Sequence, residues 1–179
     1  MFFQSEQGLI HKAKQGNKKA WFKLVKQHES VIYHYCLRML GNQEDAIDLM
    51  QEVFLSIYKS LDSFRFDSSF KTWIICIANR RCIEFYRKRK IELHNEEEMD
   101  SFIDVQNQNP EQQLQGSQHN QHVIAAMNTL NVEQRSVIEL KFFHHYTLEQ
   151  IGELQNISTN TVKSRFYAAL ENLKPHLEA

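Results

Sequence analysis

Apolar residues recur every three or four positions along most of the chain, which is the spacing of one face of an α-helix. The clearest apolar stripe lies in residues 43–61 and consists of Ile47, Met50, Phe54, Ile57 and Leu61. A second set with the same spacing follows and consists of Phe70, Trp73, Ile74, Ile77 and Phe85. The pattern predicts two helices whose apolar faces pack against each other.

Short polar breaks separate these helices from others upstream. Ser5 is placed to cap a first helix that ends at Gly16-Asn17, and a second helix is predicted from Lys18 through Leu40, bent or interrupted near His28. The chain of 179 residues has only 5 Gly and 2 Pro, too few for the many tight turns of a β-rich fold. An all-α fold is therefore predicted.

The composition changes after residue 93, where the chain becomes acidic and then rich in Gln and Asn. Such a segment cannot bury enough apolar surface to fold alone and is typical of a linker. The prediction is two small helical domains, residues 1–93 and 121–179, joined by a flexible linker over residues 94–120.

Charge is distributed unevenly although the net charge is −1. Six cations lie close together: Arg80, Arg81, Arg87, Lys88, Arg89 and Lys90. No Lys or Arg then occurs from residue 91 to residue 134, whereas acids crowd residues 92–104. This asymmetry favours local binding surfaces. We also hypothesise that residues 92–104 fold over residues 80–90 in the free protein and screen their charge.

The second half contains TLEQIGELQNISTNTVKSRFYAALENL, residues 147–173, with the layout of a helix-turn-helix. Thr147 is a candidate N-cap, and Gly152 stands where a second helix must cross closely. Asn156 and Ile157 form the turn, and Ser158 can cap the next helix. The buried side of the first helix of the motif is predicted to consist of Leu148, Ile151 and Leu154. Upstream of the motif, residues 127–143 supply one or two further helices, capped by Thr129 or Asn131.

The second helix of this motif has two chemically different sides. Val162, Phe166 and Leu170 are expected to point inward. The outward side combines hydrogen-bonding groups with cations: Ser158, Thr159, Asn160, Thr161, Lys163, Ser164 and Arg165. Such a side suits a recognition helix that enters the major groove of DNA, where polar groups read base edges and cations meet phosphates.

Sequence motifs of enzymes and metal sites are missing. There is no P-loop, G-x-G-x-x-G, G-x-S-x-G or H-E-x-x-H, so no catalytic residue, cofactor or metal site is predicted. Cys36, Cys76 and Cys82 lack paired spacing and are expected to be buried thiols in a reducing compartment. Without a signal sequence or an apolar span, the predicted location is the cytoplasm, without membrane insertion.

On pattern alone, more than one function stays open. A repressor or activator with a helix-turn-helix and a helical sensory domain would dimerise and bind paired half-sites without other factors. A small helical enzyme is a further reading, but no site supports it.

Two stretches, in this order, resemble a known family. DAIDLMQEVFLSIYKSLDSFRFDSSFKTWIICIANRRCIEFYRKRK in the first half and TLEQIGELQNISTNTVKSRFYAAL in the second are similar to bacterial RNA polymerase sigma factors of the extracytoplasmic function (ECF) group, in the sigma-70 class. The resemblance implies a region 2-like bundle, a region 4-like helix-turn-helix, and a linker that threads toward the polymerase active site. It also implies binding to core RNA polymerase, through the β′ clamp helices and the β flap, and to promoter DNA, with an anti-sigma factor as a further possible partner.

The resemblance assigns residues to three contacts. Binding to core polymerase falls to Asp45, Asp48, Gln51 and Glu52. Recognition and opening of the promoter's −10 element fall to Phe64, Arg65, Asp67, Ser68, Ser69, Lys71, Asn79, Arg80 and Arg87. Recognition of the −35 element falls to the outward side of the recognition helix, residues 158–165. The chain departs from the family where Asn79-Arg80 stands in place of the common Arg-Asn, and where few cations follow Arg165.

Overall fold

A computed structural model describes residues 5–97 and 118–177 of the protein. Residues 98–117, with most of the predicted linker and part of the acidic stretch 92–104, lie outside the described residues. The hypothesis that this stretch screens residues 80–90 therefore stays a prediction.

The described residues form eight α-helices and, within these two ranges, no β-strand, which confirms the all-α prediction. The helices are α1 (Glu6–Lys14), α2 (Lys18–Leu40), α3 (Gln43–Ser60), α4 (Phe70–Glu97), α5 (Gln118–Asn128), α6 (Val132–Ile138), α7 (Leu148–Gln155) and α8 (Thr159–Leu177). A 3₁₀ turn, Leu61–Ser63, follows α3, and a π-helical turn, Glu139–Phe143, follows α6.

The chain divides into two compact units, Met1–Arg81 and Cys82–Ala179, so that the division falls within α4. In the first unit, α1 and α3 both pack against α2. In the second unit, α6 and α7 pack against α8. Within residues 5–97 and within residues 118–177, the helices are joined by short turns, as expected from the spacing of the polar breaks.

The ends of the first helices follow the sequence signals. The hydroxyl of Ser5 accepts a hydrogen bond from the backbone N–H of Gly8 at 3.2 Å and so caps α1, and α2 ends at Gly41 in the left-handed conformation. The predicted interruption near His28 is wrong, because α2 is continuous. The buried ring of His28 lies 2.9 Å from a carboxylate oxygen of Glu6, and this polar partner compensates for the burial of the imidazole.

The buried face of α3 differs from the predicted stripe. The buried side chains are Ala46, Leu49, Val53, Ile57 and, in the following turn, Leu61. Ile47 is 37% exposed, and Met50 and Phe54 are half-buried. The stripe is wrong by one position in its first half: the buried row runs through Ala46, Leu49 and Val53, and Ile47, Met50 and Phe54 lie beside it.

The apolar side of α4 is also displaced from the prediction. Phe70, Ile74, Ile75, Ala78 and Cys82 are buried, whereas Trp73, Ile77 and Phe85 are half-buried. Cys36 and Cys82 are buried free thiols as expected, and Cys76 is half-buried. Burial raises the pKa of the Cys76 thiol, and the nearby Arg80 opposes this shift.

The second unit has its own core. Asn131 caps α6 by accepting the N–H of Gln134 at 2.9 Å. Met127, Leu130, Ile138, Ala169 and Leu173 form a buried cluster, against which Phe166 and Leu170 pack from its edge. The inward side of α8 is therefore correct at the fully buried Val162, but Phe166 and Leu170 are only half-buried.

None of the helices in the described part of the chain is both long and apolar enough to cross a lipid bilayer.

Candidate nucleic-acid interface and partner surface

The outer side of α3 carries the predicted partner-binding acids. Asn42 caps the helix by accepting the N–H of Asp45 at 3.0 Å, which fixes the direction of α3 from its first turn. Asp48, Gln51 and Glu52 are exposed one and two turns later, and Asp45 is half-buried. The structure thus brings the four predicted residues to one side of one helix.

Large apolar side chains lie among these acids. Leu55 is 59% exposed, Tyr58 is 51% exposed, and Ile47 is exposed beside Asp48. Residues 47, 48, 51, 52, 55 and 58 are here called the α3 outer face. Exposed apolar side chains of this size, surrounded by polar groups, are typical of a protein-binding surface. The sequence did not reveal the apolar part, because Ile47 fits the helical spacing of the core.

The segment between the 3₁₀ turn and the second turn of α4 has a buried and an exposed side. Residues 64–69, which the resemblance assigns to the −10 element, are here called the −10 loop. Arg65, Asp67, Ser68 and Ser69 are exposed, as is Lys71 in the first turn of α4. Ser69 also caps α4, since its hydroxyl accepts the N–H of Thr72 at 3.0 Å. The loop therefore offers a short row of polar and charged side chains.

Phe64 is not part of this exposed row. Its side chain is only 3% exposed, and its ring packs against Phe66, Phe70 and Trp73 at centroid distances of 4.7, 5.4 and 5.1 Å. The predicted DNA contact of Phe64 conflicts with this burial. Aromatic packing keeps the ring in the core, where it supports the loop from below.

Asn79 is also a core residue. It is 3% exposed, and its side-chain oxygen accepts a hydrogen bond from the hydroxyl of Tyr35 at 2.9 Å. The prediction that Asn79 contacts DNA conflicts with the structure, since a buried amide with a partner stabilises the bundle instead.

The cations of α4 do not form a single row. Arg80 and Arg87 are exposed and, seven residues apart, lie on one side of the helix. Lys71 precedes Arg80 by nine residues, or about two and a half turns, and lies on the opposite side. The structure thus joins Arg80 with Arg87 and separates both from Lys71.

The helix-turn-helix forms through the predicted local contacts. Thr147 and Gln150 make a reciprocal capping box at the start of α7, and Asn156 ends α7 in the left-handed conformation with φ of 55°. The hydroxyl of Ser158 accepts the N–H of Thr161 at 3.1 Å and caps α8. A Cβ atom on Gly152 would lie 2.9 Å from the carbonyl oxygen of Ile157, so the close approach requires glycine.

The start of α8 presents the predicted recognition residues. Ser158, Asn160, Thr161, Lys163 and Ser164 are exposed; Thr159 and Arg165 are half-buried. These seven residues, here called the α8 outer face, lie within two turns and contain no acid. Nearby on α7, the carboxylate of Glu149 accepts hydrogen bonds from the backbone N–H of Glu149 and from the side chain of Thr147, and both lower its pKa. The positive charges of Lys163 and Lys141 lower this pKa further.

Exposed aromatic residues in α8 and in the π-helical turn before it were not predicted as surface residues. Phe142, Phe143 and Tyr167 are 51%, 38% and 61% exposed, and Phe142 stacks on Phe166 at 6.0 Å. In the same segment, the carboxylate of Glu139 lies 3.2 Å from the ring of His144, and both side chains are buried. No sequence signal distinguished these aromatic residues from core residues.

Two family models match separate parts of the chain. Residues 24–91 match sigma-70 region 2, and residues 121–173 match sigma-70 region 4. These matches define the chain as a member of the sigma-70 class, with a helical bundle in the first part and a helix-turn-helix in the second.

Similarity over the whole chain gives the particular family. The chain is 32% identical to the ECF RNA polymerase sigma factor SigW of Bacillus subtilis, over 94% of each protein. It is 29% identical to the RNA polymerase sigma factor SigV of the same bacterium, over 93% of this chain and 96% of that one. The chain belongs to the ECF RNA polymerase sigma factors, which are transcription initiation factors that bring RNA polymerase to promoters.

A solved structure shares the fold. The sigma factor RpoE of Bartonella quintana, crystallised with the anti-sigma factor NepR, superposes with a TM-score of 0.70. The superposition covers 90% of this chain and 98% of that one, at 22% sequence identity.

Proposed function

We propose that this sigma factor recognises two promoter elements through separate domains, residues 1–93 and 121–179, and assists promoter melting while bound to core polymerase. It acts in the cytoplasm, needs no cofactor or metal, and leaves catalysis to the polymerase. The observation that carries the proposal is the contrast between two exposed helix sides in the matched regions. The α3 outer face is acidic and apolar, and the α8 outer face is polar and basic.

The α3 outer face is the proposed dock for the clamp helices of the β′ subunit. Exposed Asp48, Gln51 and Glu52 supply charge and hydrogen bonding, and Leu55 supplies an apolar contact in their midst. Protein interfaces typically combine an apolar centre with polar residues at the rim. The second domain is proposed to bind the β flap, so that polymerase holds both domains at once and raises the effective concentration of each for DNA.

The −10 loop is the proposed site for a base flipped out of the non-template strand. Arg65, Asp67 and Ser68 offer hydrogen-bonding groups at the surface of the loop. Arg80 and Arg87, on one side of α4, are proposed to hold the phosphate backbone. A cationic track next to a site for an unstacked base is the usual way in which proteins hold single strands. Capture of that base would stabilise the melted promoter.

The α8 outer face is the proposed reader of the −35 element as duplex DNA. Its N-terminal two turns hold amide and hydroxyl groups with Lys163 and Arg165, and no carboxylate faces the groove from these turns. The capped start of α8 also directs backbone N–H groups toward phosphate. Base edges in the major groove would be read by Asn160 and its polar neighbours.

Control by an anti-sigma factor is a further part of the proposal. The fold neighbour RpoE was crystallised with its anti-sigma factor NepR. The exposed apolar residues of the α3 outer face would need cover when polymerase is absent. An anti-sigma factor that covers this face would exclude core polymerase by direct competition.

An abortive-initiation assay tests the proposal. Core polymerase would be supplied with a library of melted-bubble promoters, with and without this protein. We expect sequence-selective initiation that depends on the protein, and the selected templates would give both promoter elements. Co-elution with core without any initiation would identify a polymerase-binding inhibitor instead. Duplex binding by a dimer in the absence of core would identify a stand-alone regulator.

A further inference from the structure

The −10 loop has an unusual backbone at its centre. Phe66 adopts φ of 65°, in the left-handed region that a bulky side chain rarely occupies. Such a conformation persists only where surrounding contacts over-determine it. The contacts of Phe66 therefore show what fixes the path of the loop.

Helix α1 supplies two of those contacts. The ring of His11 stacks on the ring of Phe66 at a centroid distance of 5.1 Å and an interplanar angle of 25°. The ammonium nitrogen of Lys14 lies 5.5 Å from the centre of the same ring, within the range of a cation–π interaction. Phe64 contacts the ring from the core at 4.7 Å. Phe66 is thus held against α1 and the core.

Lys14 also binds the backbone that enters the loop. Its ammonium group donates hydrogen bonds to the carbonyl oxygens of Phe64 at 2.6 Å and of Asp62 at 3.2 Å. These carbonyls lie at the C-terminal end of the 3₁₀ turn that follows α3, where a cation also complements the partial negative charge of the turn. One side chain of α1 therefore fixes both the backbone before Phe66 and the ring of Phe66.

We propose that α1 is a positioning element for the −10 loop and that Lys14, His11 and Phe66 form its anchor. With the ring of Phe66 held against α1, its exposed neighbours Arg65 and Asp67 are directed to solvent, where the proposed base-binding surface lies. A loop ordered before binding loses less conformational entropy when it captures a strand. The inference rests on the proposed function of the loop. It extends that function to α1, which precedes the segment matched by sigma-70 region 2, residues 24–91.

The test measures binding of single-stranded DNA by assembled holoenzyme. Wild-type holoenzyme first selects a sequence from a randomised single-stranded DNA library, and a fluorescent oligonucleotide of that sequence then serves as the probe in anisotropy titrations. Lys14→Ala should weaken binding about tenfold, in line with the loss of two charge-assisted hydrogen bonds. Lys14→Arg should restore most of the affinity. Lys12→Ala, an equal loss of charge at an exposed position of the same helix, should leave the affinity unchanged.

One further readout and one further variant separate positioning of the loop from a general structural role. The ratio of affinities for the selected and a scrambled oligonucleotide should fall in Lys14→Ala, whereas a partly unfolded protein would only lower the active fraction. Phe66→Gly removes the ring but permits the positive φ, and we expect the same loss of affinity and selectivity from it.

The outcomes distinguish this inference from the proposed function. If the wild type selects a sequence and Arg65→Ala weakens binding, but Lys14→Ala and Phe66→Gly behave like Lys12→Ala, the anchor is overturned and the loop's role stands. If the wild type selects no sequence, and Arg65→Ala binds the fluorescently labelled, unselected library as tightly as the wild type does, the role of the loop is overturned, and the anchor with it.

Discussion

The outer faces of α3 and α8 belong to helices that are built in the same way. Each helix begins at a side-chain cap, Asn42 before α3 and Ser158 before α8. Each buries one side, through Val53 in α3 and Val162 in α8. The two helices differ in what they expose on the other side.

The exposed residues separate a protein-binding from a DNA-binding chemistry. The α3 outer face combines carboxylates with large apolar groups such as Leu55 and Tyr58. The α8 outer face has hydroxyl, amide and cationic groups. The first acid along α8 is Glu171, which lies beyond this face. Carboxylates would be repelled by phosphate, and bulky apolar groups would displace the water that commonly bridges protein to DNA. The local fold therefore permits either partner, and the outer residues choose between them.

Reversing the charge of the α3 outer face should have the largest effect. Asp48→Arg with Glu52→Arg should weaken assembly with core polymerase by about 100-fold or more, because interfacial charges become repulsive. Co-elution and a fluorescence titration with core would measure it. The matched control is Glu29→Arg with Glu171→Arg, which reverses two acids outside the α3 outer face, one half-buried and one exposed. Normal assembly of the first variant would remove the proposed role of this face.

Removing the cations of the α8 outer face should have the next largest effect. Lys163→Ala with Arg165→Ala should weaken binding of duplex −35 DNA by roughly 30-fold and reduce the slope of log affinity against log salt by roughly 1.8. Affinity for core should not change, and Lys174→Ala at the far end of α8 serves as the control. Loss of core binding instead would mean that the two faces have been assigned to the wrong partners.

The close approach of Gly152 in α7 to the turn before α8 offers a test of how far the second unit depends on local backbone geometry. Gly152→Ala should destabilise the second unit by about 1–2 kcal/mol, because the added Cβ would lie 2.9 Å from the carbonyl oxygen of Ile157. Urea unfolding followed by far-ultraviolet circular dichroism would measure this. Both tryptophans, Trp21 and Trp73, lie in the first unit, so their fluorescence should report unchanged unfolding there.

Much of the fold could be predicted from local signals. Caps at Ser5, Thr147 and Ser158 and the turn at Asn156 depend on residues within four positions of each other, and all were confirmed. The bounds of α2 followed from Gly16-Asn17 and Gly41-Asn42 in the same way. These features are predictable because the physical cause lies within one turn of chain.

The faces of helices were harder to predict, since they depend on the distant helix that packs there. Ile47 fits the spacing of an apolar stripe, yet the row of α3 that is buried is the neighbouring one, which begins with Ala46. Phe64 lies in a polar loop of the sequence but is buried by Phe70 and Trp73. The anchor of Lys14 on the loop joins residues about 50 positions apart, and no local pattern indicates it.

The smallest expected effect concerns Asn79, the buried amide that the family resemblance assigned to DNA binding. Tyr35→Phe removes the hydrogen bond to Asn79 and should lower the free energy of unfolding of the first unit by about 1 kcal/mol, measured by urea titration of tryptophan fluorescence. Binding of core and of single-stranded DNA should stay unchanged, because Asn79 is buried and is exposed at neither surface. Tyr33→Phe, a half-buried tyrosine on the same helix, is the matched control. If Tyr35→Phe lowered the affinity for single-stranded DNA without lowering stability, Asn79 would have to contribute to DNA binding. The division of partners between the exposed faces of α3 and α8 would then be incomplete, because a residue in the core of the first unit would also take part in DNA binding.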